Sequence, residues 1–135
     1  MRVFIAGGSG AVGRQLIPQL VAAGHHVVSI SRTENRVARL RSLGAEALLA
    51  DVFDRAQLQR VVADAAPDAI INQLTDLPQS MDPRELRSIY RRNDRVRREA
   101  TRNILDAAHA AGVQRVVAQS VAFWYEHRGG AVKSE

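Results

Sequence analysis

The chain has 135 residues, 46% of them apolar and 24% charged, which fits one ordinary soluble domain with its own core and excludes disordered or collagen-like compositions. It has no cysteine, which excludes a disulfide scaffold and a thiolate metal site and is compatible with a reducing compartment. The formal charge is +5, and the basic residues are nearly all arginine, Lys133 being the only lysine.

No apolar stretch reaches the roughly 18 to 20 residues of a membrane span, and residues 1–6 read as a strand rather than a signal peptide, so a soluble, cytoplasmic protein is expected. Arginine suits bidentate phosphate contacts, and eight arginines crowd Arg84 to Arg102. That segment has only Tyr90 as an aromatic and no recognised nucleic-acid motif, so a solvated helix face is expected there and not a nucleic-acid partner.

Arg2 to Ala6 is a short apolar run with β-branched and aromatic residues, and Gly7, Gly8, Gly10 and Gly13 follow it before Val12, Leu16, Ile17, Leu20 and Val21 recur at helical spacing. Strand, glycine turn and helix in this order are what dinucleotide binding requires. Gly7 suits the tight turn, Gly10 lets a pyrophosphate approach the backbone beside Ala11 and Val12, and Gly13 removes a side chain where the helix presses on the sheet. The helix N-terminus offers free N–H groups and partial positive charge to phosphate.

Gly24 suits a C-cap, and His25 to Ser31 reads as a second strand. Its end falls about 20 residues after the glycines, where a dinucleotide fold meets the adenosine ribose and where an Asp or Glu would select NAD. Here stand Ser31, Arg32, Thr33 and, one turn on, Arg36. A hydroxyl followed by two cations is the chemistry of a 2′-phosphate site, which favours NADP over NAD; the competing reading is a pair of exposed loop and helix arginines.

Asn35 to Leu43 reads as a helix stopped by Gly44, and Glu46 to Ala50 as a third strand. Asp51 and Val52 follow at its C-terminal end, Asp51 either accepting from an adenine amino group or serving as a loop carboxylate. Asp54 with Gln57 has the form of a capping box and opens a helix to Ala65. Ala69 to Gln73 reads as a fourth strand, and Asn72, Gln73, Leu74 and Thr75 emerge at the crevice beside the first, where small or polar residues can lie along a nicotinamide ribose.

Asp82-Pro83-Arg84-Glu85 is a helix start, and the helical pattern runs on to Gly112. Its polar middle, Arg91 to Glu99, predicts either one long helix with a stretch leaving the body or two helices meeting near Asn93. Val113 to Ser120 reads as a fifth strand. Strands separated by such helices pair in parallel through right-handed crossovers, which predicts a doubly wound α/β sheet of five strands in order 3-2-1-4-5. There is no internal repeat or linker, so residues 1–135 form one domain. The histidines have no HxH, HxxxH or HExxH spacing, and no metal site is expected.

RVFIAGGSGAVGRQL, the polar run after AIIN, and ATRNILDAAHAAGVQRVVAQS together resemble the extended short-chain dehydrogenase/reductases, the NAD(P)-dependent epimerase/dehydratase family, over nearly the whole chain. The resemblance implies a Rossmann sheet, the GxxGxxG pattern at Gly7, Gly10 and Gly13, adenine held by Asp51 and Val52, and ribose lined by Leu74 and Thr75. It implies that Ser120 hydrogen-bonds a substrate carbonyl and that Asn93 is the helix asparagine of the active-site relay.

The family also uses a Tyr and a Lys four apart to exchange a proton while hydride moves. Tyr125 is followed four residues later by Gly129, and Tyr90 by Asp94, which leaves Tyr125 as the sole candidate acid near Ser120. The family's later strands and substrate domain are absent, so the chain reads as an N-terminal portion or a shortened relative. The expected function is the NADP(H)-binding domain of an oxidoreductase or epimerase acting on a carbonyl or sugar-like alcohol, with little or no turnover by these residues alone. The alternative is a non-catalytic dinucleotide-binding or sensor module acting through a protein partner. Self-association through the Pro83 to Ala111 helix is also expected.

Overall fold

The computed structural model describes residues 1–78, 82 and 84–120. Five parallel strands, β1 (Arg2–Ala6), β2 (His26–Ser31), β3 (Glu46–Leu49), β4 (Ala69–Asn72) and β5 (Val116–Ala118), lie in the order β3-β2-β1-β4-β5. Parallel neighbours need a crossover, and helices supply it: α1 (Ala11–Ala22), α2 (Glu34–Ser42), α3 (Arg55–Ala65), α4 (Leu86–Arg95) and α5 (Thr101–Ala110).

Side-chain alternation along β1 divides the core in two. Phe4 and Ala6 join Val28, Ile30 and Ile70 against Leu58 and Val62 of α3 and Ala100, Ile104, Ala107 and Ala108 at α5. Val3 and Ile5 join Val27 on the other face, against Ile17 of α1 and Val37 and Leu40 of α2. Burial on both faces explains why β1 reads as a continuous apolar run rather than an alternating one. The result is the Rossmann arrangement, whose topological switch lies between β1 and β4.

The segment from Leu86 to Ala110 is a single helical path, with a π-turn (Val96–Ala100) joining α4 to α5. Of the two arrangements open from the sequence, neither two separate helices nor a protruding stretch is found. The polar middle instead carries the π-turn, with Val96 half-buried and Ala100 fully buried against the core.

Asp54 caps α3, its Oδ1 accepting from the Gln57 N–H at 2.9 Å. The box is not reciprocal, because Gln57 Oε1 accepts from the Asp51 N–H at 2.9 Å and ties the cap to the preceding loop. β5 is shorter than the Val113 to Ser120 run suggests, since Val113 packs under the core edge and only Val116–Ala118 pairs with β4. Arg87, Arg91, Arg98 and Arg102 are exposed along α4 to α5 and form no ion pair among the described residues. No helix among the described residues is long and apolar enough to cross a membrane.

Candidate functional site

A cleft of about 640 Å³ runs along the carboxyl ends of β2, β1 and β4, where open α/β sheets bind ligands. Its centre is the turn after β1. Gly7 has φ +87°, and a Cβ there would stand 2.6 Å from the Gln73 carbonyl carbon. Only glycine permits both the backbone conformation and the close approach of the β4 end.

The other glycines close the cradle. A Cβ on Gly13 would meet Gly8 Cα at 2.5 Å, so α1 presses on the glycine loop itself as well as on the sheet. Gly8, a glycine outside the GxxGxxG pattern, lies over the buried Ser29, whose hydroxyl donates to the Ile5 carbonyl at 2.8 Å. The Gly10 N–H donates to the Gly7 carbonyl at 3.0 Å, and as the extended N-cap of α1 Gly10 brings no capping side chain. The first turn of α1 therefore has no side-chain cap, and its residues Ala11 and Val12 line the cleft.

At the β2 end, Ser31 is buried, and Arg32 and Arg36 line the cleft together with Arg14 and Arg39. None of these four arginines forms an ion pair among the described residues. Arg39 lies one helical turn beyond Arg36, a spacing that could have flagged it. Arg14, in the first turn of α1, donates from Nε to the Gly10 carbonyl at 3.3 Å.

On the β3 side, Val52 and Phe53 line the cleft but Asp51 does not. Asp51 Oδ1 accepts from the Phe53 N–H at 3.0 Å, turned into its own loop. The Arg95 guanidinium stacks 4.3 Å from the Phe53 ring centre and pairs with Glu99 at 2.7 Å. That hydrogen bond raises the Arg95 pKa and holds the Glu99 carboxyl below its ordinary range. Asn103 donates from Nδ2 to the Val52 carbonyl at 2.9 Å, so the loop is tied to α5 as well.

At the β4 end, Gln73, Leu74 and Thr75 line the cleft. Asn72 lies beneath them, donating to Thr101 Oγ1 at 3.1 Å and accepting from the Leu74 N–H at 3.1 Å. Asn93 is buried outside the lining, and its Oδ1 accepts from the Asp76 N–H at 3.1 Å, which fixes the loop after β4. Gln119 reaches the cleft, and Ser120 follows it, exposed and outside the lining. Tyr125 lies outside the described residues. Among those that are described, no three His, Asp or Glu side chains stand together as metal ligands would.

Residues 7–134 match a family described as NAD(P)H-binding. A 3-diazoavenalumate denitrifying reductase from a Streptomyces species is 35% identical over 136 residues, which is 100% of this chain and 42% of that protein. A photosystem II assembly factor from Synechocystis is 29% identical over 123 residues, 90% of this chain and 34% of its own. Among solved structures, a UDP-glucose-4-epimerase from Stenotrophomonas maltophila, crystallised with NAD and formylated UDP-arabinopyranose, superposes with a TM-score of 0.77. It is 25% identical, over 97% of this chain and 40% of that one. The chain thus spans 42% of the reductase and 40% of the epimerase.

Proposed function

This chain belongs to the NAD(P)H-binding family, and from that premise we propose that it holds NADP(H) for a reductase or epimerase of the extended short-chain dehydrogenase type. The observation that carries the choice of NADP is that Arg32 and Arg36, the residues following Ser31 at the end of β2, line the cleft with Arg14 and Arg39, none of the four forming an ion pair among the described residues. An acidic residue there would accept from a ribose 2′-hydroxyl and repel a 2′-phosphate; a hydroxyl with guanidinium groups does the reverse.

The remaining cleft fits the rest of the cofactor. The glycines let the loop pack closely on the β4 end, on Ser29 and on α1, and leave the start of α1, at Ala11 and Val12, on the cleft where a pyrophosphate would meet it. Val52 and Phe53 offer an apolar wall for adenine, with Asp51 beside it holding the loop in shape. Leu74 and Thr75 border the ribose beyond the pyrophosphate, and Asn93 anchors the loop that follows them. Bound NADP(H) would give or take a hydride at its nicotinamide ring, at a carbonyl or alcohol of the substrate. Ser120, which follows the cleft residue Gln119, is the group we assign to donate a hydrogen bond to such a carbonyl, with Tyr125 as the candidate acid. The Streptomyces relative's name as a reductase supports the reductive direction for the whole protein.

The test is the affinity of Arg32→Ala for the two cofactors. Losing a charge-assisted phosphate contact costs roughly 1.5 to 3 kcal/mol, so NADPH should weaken by about ten- to a hundredfold while NADH hardly changes. Equal loss for both would refute the 2′-phosphate assignment.

A further inference from the structure

Gln73 carries a feature that the cradle does not use. Its side-chain Oε1 is shielded from solvent and has no hydrogen-bond partner among the described residues, although the residue lines the cleft. A buried acceptor left unpaired costs about 1 to 3 kcal/mol, and native chains seldom keep one without a use for it. Turning the amide over only exchanges the orphan, leaving buried N–H donors in place of the oxygen.

The backbone leaves this side chain little choice of direction. The Gln73 N–H donates to the Ala6 carbonyl at 2.8 Å, continuing the ladder past Asn72, and its carbonyl is pressed against Gly7. Ile70 and Asn72 face the α5 side of the sheet, Ile70 among the core residues there and Asn72 through Thr101. Ile71 packs on the α1 side, and alternation sends Gln73 the same way, beyond the glycine turn. The cleft therefore runs from the arginines at the β2 end, past the bare glycines at the β1 end, to an unpaired amide at the β4 end.

A dinucleotide laid along that path puts its first ribose at the arginines and its pyrophosphate at the glycines. We propose that Gln73 positions the second half of the dinucleotide, its side-chain amide hydrogen-bonding a hydroxyl of the ribose beyond the pyrophosphate. This rests on the dinucleotide reading above, and it assigns to Gln73 a role separate from the 2′-phosphate contacts. Gln73 is thus a residue that distinguishes a whole dinucleotide from its adenosine fragment.

The experiment compares Gln73→Met with the wild-type chain, methionine keeping length and volume while removing the polar atoms. Dissociation constants are measured by titration calorimetry for NADPH and for 2′,5′-ADP, which has the 2′-phosphate but no second ribose. NADPH should weaken about three- to tenfold while 2′,5′-ADP stays within about twofold, which also shows that the variant is folded. Unchanged NADPH affinity, or equal weakening of both ligands, would overturn the proposal. If the wild type shows no preference for the 2′-phosphate, the cofactor choice fails by itself, and NADH against AMP decides the Gln73 proposal by the same criteria. A wild type that binds neither dinucleotide overturns both.

Discussion

β1 and β2 run for five and six residues, with Val3 to Ala6 and Val27 to Ser31 all buried, whereas β4 and β5 run for four and three, and Val117 on β5 is 59% exposed. The two ends of the cleft differ in the same way. The β1–β2 end is made largely by backbone, from Gly7, Gly8, Gly10 and Gly13 packed against one another and against Ser29. The β4–β5 end is lined by Gln73, Leu74, Thr75 and Gln119, above Asn72 and Asn93, whose side chains bond Thr101 and the Asp76 N–H far away in sequence. A site made of backbone needs particular residue types at fixed spacing; one made of side chains needs only that distant elements arrive together.

The sharpest way to break this comparison is at the glycine contact. Gly13→Ala places a Cβ 2.5 Å from Gly8 Cα, with backbone on both sides of the overlap, so neither partner can rotate away. Stability should fall by about 3 kcal/mol, read as a lowered urea midpoint at unchanged m-value. A loss under about 0.5 kcal/mol would mean that the loop is softer than its packing implies.

A smaller effect tests the stitch between the halves. Asn103→Leu leaves the buried Val52 carbonyl without its donor and should cost about 2 kcal/mol of stability. Because the bond supports the loop and not the arginines, the ratio of NADPH to NADH affinity should stay at its wild-type value. A changed ratio would show that the adenosine end depends on α5 as much as on its own backbone.

The smallest effect is at the α3 cap. Asp54→Ala removes the acceptor of the Gln57 N–H and should lower stability by about 1 kcal/mol in the same denaturation assay. Gln57 still holds the Asp51 N–H in that variant, so the cleft should keep its ligand affinities.

The same contrast explains what could be read from the sequence. The strand order, the five strands and the glycine cradle follow from apolar runs and turn residues, each a local signal. Ser31, Arg32 and Arg36 were legible for the same reason, lying at a fixed distance after the glycines and lining the cleft as expected. Gly8 carries no local signal because its partner Ser29 lies on another strand, and Arg39 shows only as a cation one helical turn beyond Arg36. Gln73 could be placed at the crevice from sequence, but the burial of its side-chain oxygen, like the partner of Asn103, is decided by β4 and α5 docking on their neighbours. The π-turn left only an over-polar stretch as its trace, since it depends on how Val96 and Ala100 reach the core from a helix laden with arginine.

The contact of Gly13 with Gly8 has a consequence in time as well as in space. A loop wedged between a buried serine below and a helix above already has the shape it presents to a phosphate, so little conformational entropy remains to be lost when one arrives. Capture at this end then becomes a single encounter, its pace set by diffusion and by the pull of the four arginines rather than by a rearrangement of the chain.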